Sequence, residues 1–216
     1  MSNVCDLPGL TVPRSRFPAP ERDLPESDKD EARVVLAGGC FWCVEAVFQA
    51  ITGVNTVTSG YAGGSPETAN YEAVCTGTTG HAEVVEVRYD PAKTSFGELL
   101  RVFFSVAHDP TQLNRQGHDV GSQYRSAVFY ETPEQRECVE NYIARLEEAG
   151  VYADPIVTTV ELLDAFYPAE PYHQDFASRN PRKPYIMAVA GPKMEKLAKT
   201  WPDRLKPGFQ SDDDLA

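Results

Sequence analysis

The sequence predicts an α+β fold: a single domain in which helices cover a mixed or antiparallel sheet, as a two-layer sandwich with extended termini. Three observations carry this. Some strand-like segments alternate apolar and polar residues, as a half-covered strand does, and others are continuously apolar, as a strand buried on both faces is. Amphipathic helical patterns lie among them, and helices with strands of both kinds fit a two-layer sandwich better than a doubly wound sheet. The 216 residues hold no repeat and no linker, which suits one substantial core.

Each element follows in order. Residues 1–30 carry five prolines and many charges without apolar periodicity, and are expected to be an extended, partly disordered lead-in lying over the domain. Residues 34–37 (Val-Val-Leu-Ala) read as a short buried strand, Gly38-Gly39 as a turn, and Val44 onward as a helix with Ala46, Val47 and Ala50 on its apolar side. Alternation over 54–61 predicts a strand ended by Gly63-Gly64, and 82–89 another closed by Asp90-Pro91. Ser95-Phe96-Gly97-Glu98 is a capping box opening a helix through Val106, with Leu99, Leu100, Phe103 and Phe104 as its core stripe. Residues 125–130 return to strand. Pro133 starts a helix that carries Cys138, Val139, Tyr142, Ile143 and Leu146 on one side and stops at Gly150. Residues 156–162 form a further strand. The domain is therefore drawn at 31–205, with 206–216 an acidic, unstructured tail.

Composition narrows the function. Lys plus Arg number 20 and Asp plus Glu 32, a net charge of −12, which argues against nucleic acid or an anionic membrane as partner. No apolar run approaches the roughly 18–20 residues of a membrane span. The first residues lack the basic start and apolar core of a secretory signal, and five cysteines do not suggest a disulfide-stapled secreted fold. A cytoplasmic protein with working thiols is the expectation.

The chemistry concentrates in Ala37-Gly38-Gly39-Cys40-Phe41-Trp42-Cys43-Val44-Glu45-Ala46. Cys40 falls at a helix N-terminus, where free N–H groups and the helix dipole favour a thiolate, so it is expected to titrate below the usual thiol value of about 8.5. Two residues separate it from Cys43, which puts both sulfurs on one helical face within disulfide reach. Phe41 and Trp42 set two large rings beside the nucleophile.

Three chemistries could use the pair. Zinc could be held by Cys40 and Cys43 with Cys75 or His81, but structural zinc usually takes a second closely spaced pair. A thioredoxin-type disulfide exchanger is the second; its nucleophile is not usually walled by a Phe-Trp pair. In the third, a peroxide- or sulfoxide-reducing enzyme, the thiolate takes an oxygen, becomes sulfenic acid and condenses with a second thiol. The aromatic pair favours this one, because it offers a cup for a small apolar group such as a thioether methyl. Of the other thiols, Cys138 lies on the apolar stripe of its helix and reads as packing, and Cys75 in a polar loop reads as idle.

The Gly39-Cys40-Phe41-Trp42 string resembles the signature of the type A peptide methionine sulfoxide reductases. Ser59-Gly60-Tyr61-Ala62-Gly63-Gly64, Tyr71-Glu72-Ala73-Val74-Cys75, Thr79-Gly80-His81-Ala82-Glu83, Asp90-Pro91, His108-Asp109-Pro110-Thr111-Gln112, the run from Arg115 to Ser126 and Tyr172-His173-Gln174 are similar to that family's landmarks, in order, over about 33–180. The resemblance implies that Cys40 is the nucleophile, that Phe41 and Trp42 hold the substrate's S-methyl group, and that Glu83 is the acid. It implies that Tyr71 and Tyr124 hold the sulfoxide oxygen and that Asp119 is a carboxylate near the pocket mouth. These types suit the reaction: the oxygen must gain a proton, and phenol hydroxyls can stabilise its developing charge. Read alone, Glu83 could as well be a solvated edge residue as an acid, while the tyrosines would be core-rim phenols and Asp119 a turn residue.

Many members of that family carry resolving cysteines in a Gly-rich tail; here no cysteine follows Cys138. Cys43 is then the expected resolving thiol, as in tail-less members, with Cys5 on the lead-in as the alternative. The resemblance also implies methionine-S-sulfoxide, free or in proteins, as substrate, and thioredoxin as the electron donor that reduces the resulting disulfide. No metal or organic cofactor is implied.

Overall fold

The computed structural model describes residues 13–24 and 30–209. Its strands are β1 (Ala32–Gly38), β2 (Val54–Ala62), β3 (Ala82–Tyr89), β4 (Arg115–Gln116), β5 (Asp119–Val120), β6 (Ser126–Tyr130), β7 (Thr159–Leu162) and β8 (Phe166–Pro168). The helices are α1 (Phe41–Gln49), α2 (Tyr71–Val74), α3 (Phe96–Val102), α4 (Pro133–Glu148), α5 (Phe176–Arg179) and α6 (Gly191–Thr200).

Six strands form one mixed sheet in the order β7-β6-β1-β3-β2-β8, while β4 and β5 make a separate small hairpin. Every pair in the large sheet is antiparallel except β6 with β7, which α4 connects as a crossover. The α+β class and the mixed sheet are those the sequence predicts. Strand β1 lies in the middle and is buried on both faces, the reason its sequence is continuously apolar. Val34 and Leu36 face the helical layer with Val85, Val87 and Val128; Val35 and Ala37 face the opposite way with Val84, Ala127 and Phe129.

The capping chemistry sets the helix starts. The Thr132 hydroxyl accepts from the Gln135 amide at 3.2 Å with Pro133 at the first position, and Gly150 ends α4 at φ 55° while Val151 N–H returns to the Leu146 carbonyl. The Ser95 hydroxyl accepts from Glu98 N–H, but the Glu98 carboxylate goes to Arg101 and Arg204, so one arm of the expected capping box is spent on ion pairs. That helix also changes to a π-helical turn over Phe103–Ala107. Two expected strands start later than predicted, at Ser126 and Thr159, and β8 and α6 have no counterpart among the predicted elements.

Residues 13–24 pack on the helical layer: Phe17 is 1% exposed against Tyr152, Arg101 donates to its carbonyl, and Gly97 N–H bonds Asp23. Lys206, assigned from sequence to the tail, bonds Ala50 through its backbone and Gln49 through its ammonium. Cys5 and residues 210–216 lie outside the described residues. Among the described residues no helix is long and apolar enough to cross a membrane.

Candidate active site

The site forms where β1 turns into α1. Gly39 stands at φ 86°, and a Cβ there would lie 2.5 Å from Gln116 Cγ, so glycine lets β4 close over the turn. Gln116 is locked by exchanging hydrogen bonds with the Asp109 backbone: Asp109 N–H donates to Oε1 at 3.0 Å and Nε2 donates to the carbonyl at 2.6 Å. This fixes the hairpin that carries Asp119.

Cys40 is the N-cap of α1, which begins at Phe41 rather than Val44. The reason is tertiary. Glu83 Oε2, reaching from β3, accepts the Phe41 N–H at 3.0 Å and satisfies an amide that would otherwise be orphaned. Glu83 sits in a strand flanked on both sides and is only 3% exposed, which overturns the solvated-edge reading. Burial, reinforced by the Cys40 and Asp119 charges, pushes its carboxyl well above the usual range, against the lowering effect of the Phe41 amide. Both effects favour the acid form over the carboxylate.

Cys40 and Cys43 are both free, and their sulfurs share a hydrogen bond. Cys43 is wholly buried and Cys40 8% exposed, in an apolar cluster with Ala177, Ile186 and Ala190. Here the sequence expectation fails. Burial, then the bond to Cys43, pushes the Cys40 thiol well above its ordinary value, outweighing the Trp42 amide at the helix start and the Tyr185 hydroxyl. A helix N-terminus is worth a fraction of a kcal/mol to about 2 kcal/mol, less than the cost of desolvating a thiolate without a cation beside it.

The two phenols converge on this point. Tyr71 opens α2, where Asn70 is the cap; Glu170 accepts the Tyr71 N–H and the Tyr61 hydroxyl, both at 2.9 Å, and so ties α2 to β2. Tyr124 ends a 3₁₀ turn over Ser122–Tyr124. Burial raises both hydroxyls above the ordinary phenol value, and Glu83 and Cys40 lie near enough that a charge on either would raise them further. They therefore stay protonated as donors.

Of the two rings after Cys40, Phe41 is 1% exposed and packs beneath, against Tyr61 and His173. Trp42 is half-buried and forms the outer wall with residues the sequence reading did not select. Phe176 stacks on it at 3.8 Å, Tyr185 meets it edge-on at 6.0 Å, and its indole N–H donates to His173 Nδ1 at 3.1 Å. Because Nδ1 accepts, neutral His173 carries its proton on Nε2, and burial lowers its pKa. The Tyr185 hydroxyl also donates to Asp119 at 2.5 Å and reaches Cys40. Tyr172-His173-Gln174 was visible as a landmark without a role. Phe176 and Tyr185 carried no signal, because nothing periodic precedes α6.

Cys40, Cys43, Glu83, Tyr71, Tyr124 and Asp119 thus lie within electrostatic reach of one another at the start of α1, with Phe41 and Trp42 packed beside them. The zinc arrangement does not assemble: His81 Nε2 bonds the Ser65 carbonyl at 2.9 Å and Cys75 bonds the Tyr71 hydroxyl. Among the described residues no group of three or more His, Cys, Asp or Glu side chains could hold a metal. A buried thiol beside a second thiol, a protonated carboxyl and two phenols can accept an oxygen atom and then close a disulfide.

Comparison with known proteins agrees with this chemistry. Residues 32–205 match the peptide methionine sulfoxide reductase family model. The chain is 53% identical to peptide methionine sulfoxide reductase MsrA 2 of Synechocystis sp. over 174 residues, 81% of each protein. It is 53% identical to MsrA of Natronomonas pharaonis, covering 81% of this chain and 97% of that one. Among solved structures, reduced Mxr1 from Saccharomyces cerevisiae superposes with a TM-score of 0.65 at 31% identity, over 76% of this chain and 94% of that one. Methionine sulfoxide reductase A of Corynebacterium diphtheriae gives 0.62 at 37% identity, over 73% and 78%. With the family model spanning most of its length, the chain belongs to the peptide methionine sulfoxide reductase family.

Proposed function

We propose that this protein reduces methionine-S-sulfoxide, free or within proteins, to methionine, and so repairs oxidised proteins in the cytoplasm, its reductase domain spanning 31–205. The observation that carries the reading is the buried Glu83 carboxyl, which accepts the amide of Phe41, the residue next to Cys40, at 3.0 Å. The substrate's S-methyl group enters the cup of Phe41 and Trp42. Tyr71 and Tyr124 donate to the sulfoxide oxygen, and Asp119 stands at the mouth. Cys40 sulfur attacks the sulfoxide sulfur as Glu83 gives its proton to the oxygen, and the proton that the Cys40 thiol loses returns to the Glu83 carboxylate. The oxygen passes to Cys40, the thioether leaves as methionine, and Cys40 is left as a sulfenic acid. Cys43, already hydrogen-bonded to Cys40, displaces water to give the disulfide, and thioredoxin reduces it. Cys5 is the alternative partner for that step.

Release of methionine from a chirally pure sulfoxide, with dithiothreitol as reductant, tests the reading. Turnover of the S epimer alone is expected. Reduction of insulin disulfides with no action on either sulfoxide epimer would replace it with a general disulfide exchanger.

A further inference from the structure

Glu45 is a buried carboxyl that the scheme above does not use. It lies on α1 three residues after Trp42, so the two side chains share a helical face, and it is 1% exposed. A carboxyl withdrawn from water needs hydrogen-bond donors, and the chain after β8 brings one. Asp175 N–H donates to Glu45 Oε1 at 3.2 Å. One turn further along α1, Gln49 Nε2 donates to Asp175 Oδ1 at 2.7 Å. Gln174 fastens the same loop to β2: Ser59 N–H donates to its Oε1, and its Nε2 donates to the Ser59 and Ala169 carbonyls, each at 2.9 Å. Asp175 stands at φ 55°, a left-handed conformation that is uncommon outside glycine and persists where neighbouring contacts fix it. That turn delivers the next residue, Phe176, onto Trp42, with ring centroids 3.8 Å apart and planes 11° from parallel.

We propose that Glu45 is a positioning residue for the substrate's methyl pocket, its carboxyl holding the Asp175–Phe176 backbone so that Phe176 keeps the Trp42 indole in place. This rests on the reading of Phe41 and Trp42 as the cup for the S-methyl group. The bond to His173 fixes the N–H edge of the indole, and the stack on Phe176 fixes its face. With that stack in place the ring is ordered before substrate arrives. Without it, binding has to order the ring, at a cost that falls on affinity and not on the chemical step. The carboxyl acts through an acceptor oxygen, so Gln at this position keeps the function and an apolar residue of similar size does not.

The test follows single-turnover methionine release by the full-length protein against methionine sulfoxide concentration, which gives a limiting rate and a half-saturating concentration without the recycling step. Glu45→Leu should raise the half-saturating concentration roughly 3–10-fold with the limiting rate within about twofold, the cost of ordering one side chain on binding. Glu45→Gln should match the native protein. Phe176→Ala should show a rise similar to that of Glu45→Leu, and combining the two should add nothing, because the ring that the carboxyl positions is already gone. The chain has two tryptophans, and Trp201 is fully buried, so acrylamide quenching reads Trp42; it should increase in Glu45→Leu and not in Glu45→Gln. Native half-saturation in Glu45→Leu, equal rises in the Leu and Gln variants, or additive effects of Glu45→Leu and Phe176→Ala overturns the inference. If Glu45→Leu does not fold, the native protein decides: Asp175 is an exposed residue, yet its amide proton should exchange slowly by NMR, and exchange at the rate of an unstructured peptide overturns the inference. Trp42→Ala separates the two layers. A raised half-saturating concentration there supports the cup on which the inference rests; an unchanged one overturns the cup and the inference together.

Discussion

Replacing Glu83 by Gln isolates proton delivery from everything else the residue does. The carboxyl has a structural task, accepting the Phe41 N–H at 3.0 Å, and a Gln carbonyl can take it over in the same space. Losing such a cap altogether costs about 1 kcal/mol of stability, so a folded Gln variant is expected. What the amide cannot do is give up a proton. Removing a general acid costs roughly 10²–10⁴ in rate, or about 3–5 kcal/mol at 1.36 kcal/mol per decade, well beyond the cap term. Single-turnover methionine release, followed across pH, is the assay. In the native protein burial raises the Glu83 pKa, so the acid form is present below that raised value and is lost as pH climbs through it, giving an alkaline decline. In Glu83→Gln the decline should vanish along with most of the rate. Tyr71→Phe or Tyr124→Phe should each cost less, because one phenol remains. A Gln variant with near-native rate and an unchanged profile would refute the argument and give the proton to solvent or Asp119.

Three more outcomes follow from the same geometry. In the substrate-free protein Cys40 should be alkylated with a midpoint above the ordinary thiol value of about 8.5, read from the peptide that carries it by mass spectrometry; a midpoint below 7 would restore the helix-dipole view. Trp42→Ala, which removes the stack on Phe176 and the bond to His173, should weaken substrate binding by about 1–3 kcal/mol in KM; unchanged KM with a lower Tm would make the ring packing only. Glu45 on α1 is 1% exposed, and burial raises its pKa to about 7 from 4.5. A raised carboxyl contributes stability fully below the unfolded value, and that contribution is lost as pH rises through the folded one. Glu45→Gln should therefore be near neutral at pH 4 and more stable than the native protein at pH 8 by up to about 3 kcal/mol in urea titrations, and an equal effect at both pH values would contradict this.

What was legible in the sequence rests on contacts between near neighbours. The Cys40-Phe41-Trp42-Cys43 run, the Thr132 cap with Pro133, the Gly150 stop and the buried character of β1 all follow from a few adjacent residues, and periodicity with capping reports such contacts directly. The resemblance supplied Glu83, Tyr71, Tyr124 and Asp119, which lie far apart in the chain and which spacing alone would have left as edge, rim and turn residues. Tertiary structure decided the rest. Phe176 and Tyr185 meet the thiols and Trp42 only because the chain after β8 folds back over α1, and the residues before α6 carry no pattern that foretells it. The acidity of Cys40 inverted for the same reason. A helix start is a local property that sequence announces, whereas desolvation is set by whatever the rest of the chain packs on top, and around Cys40 the packing term is the larger.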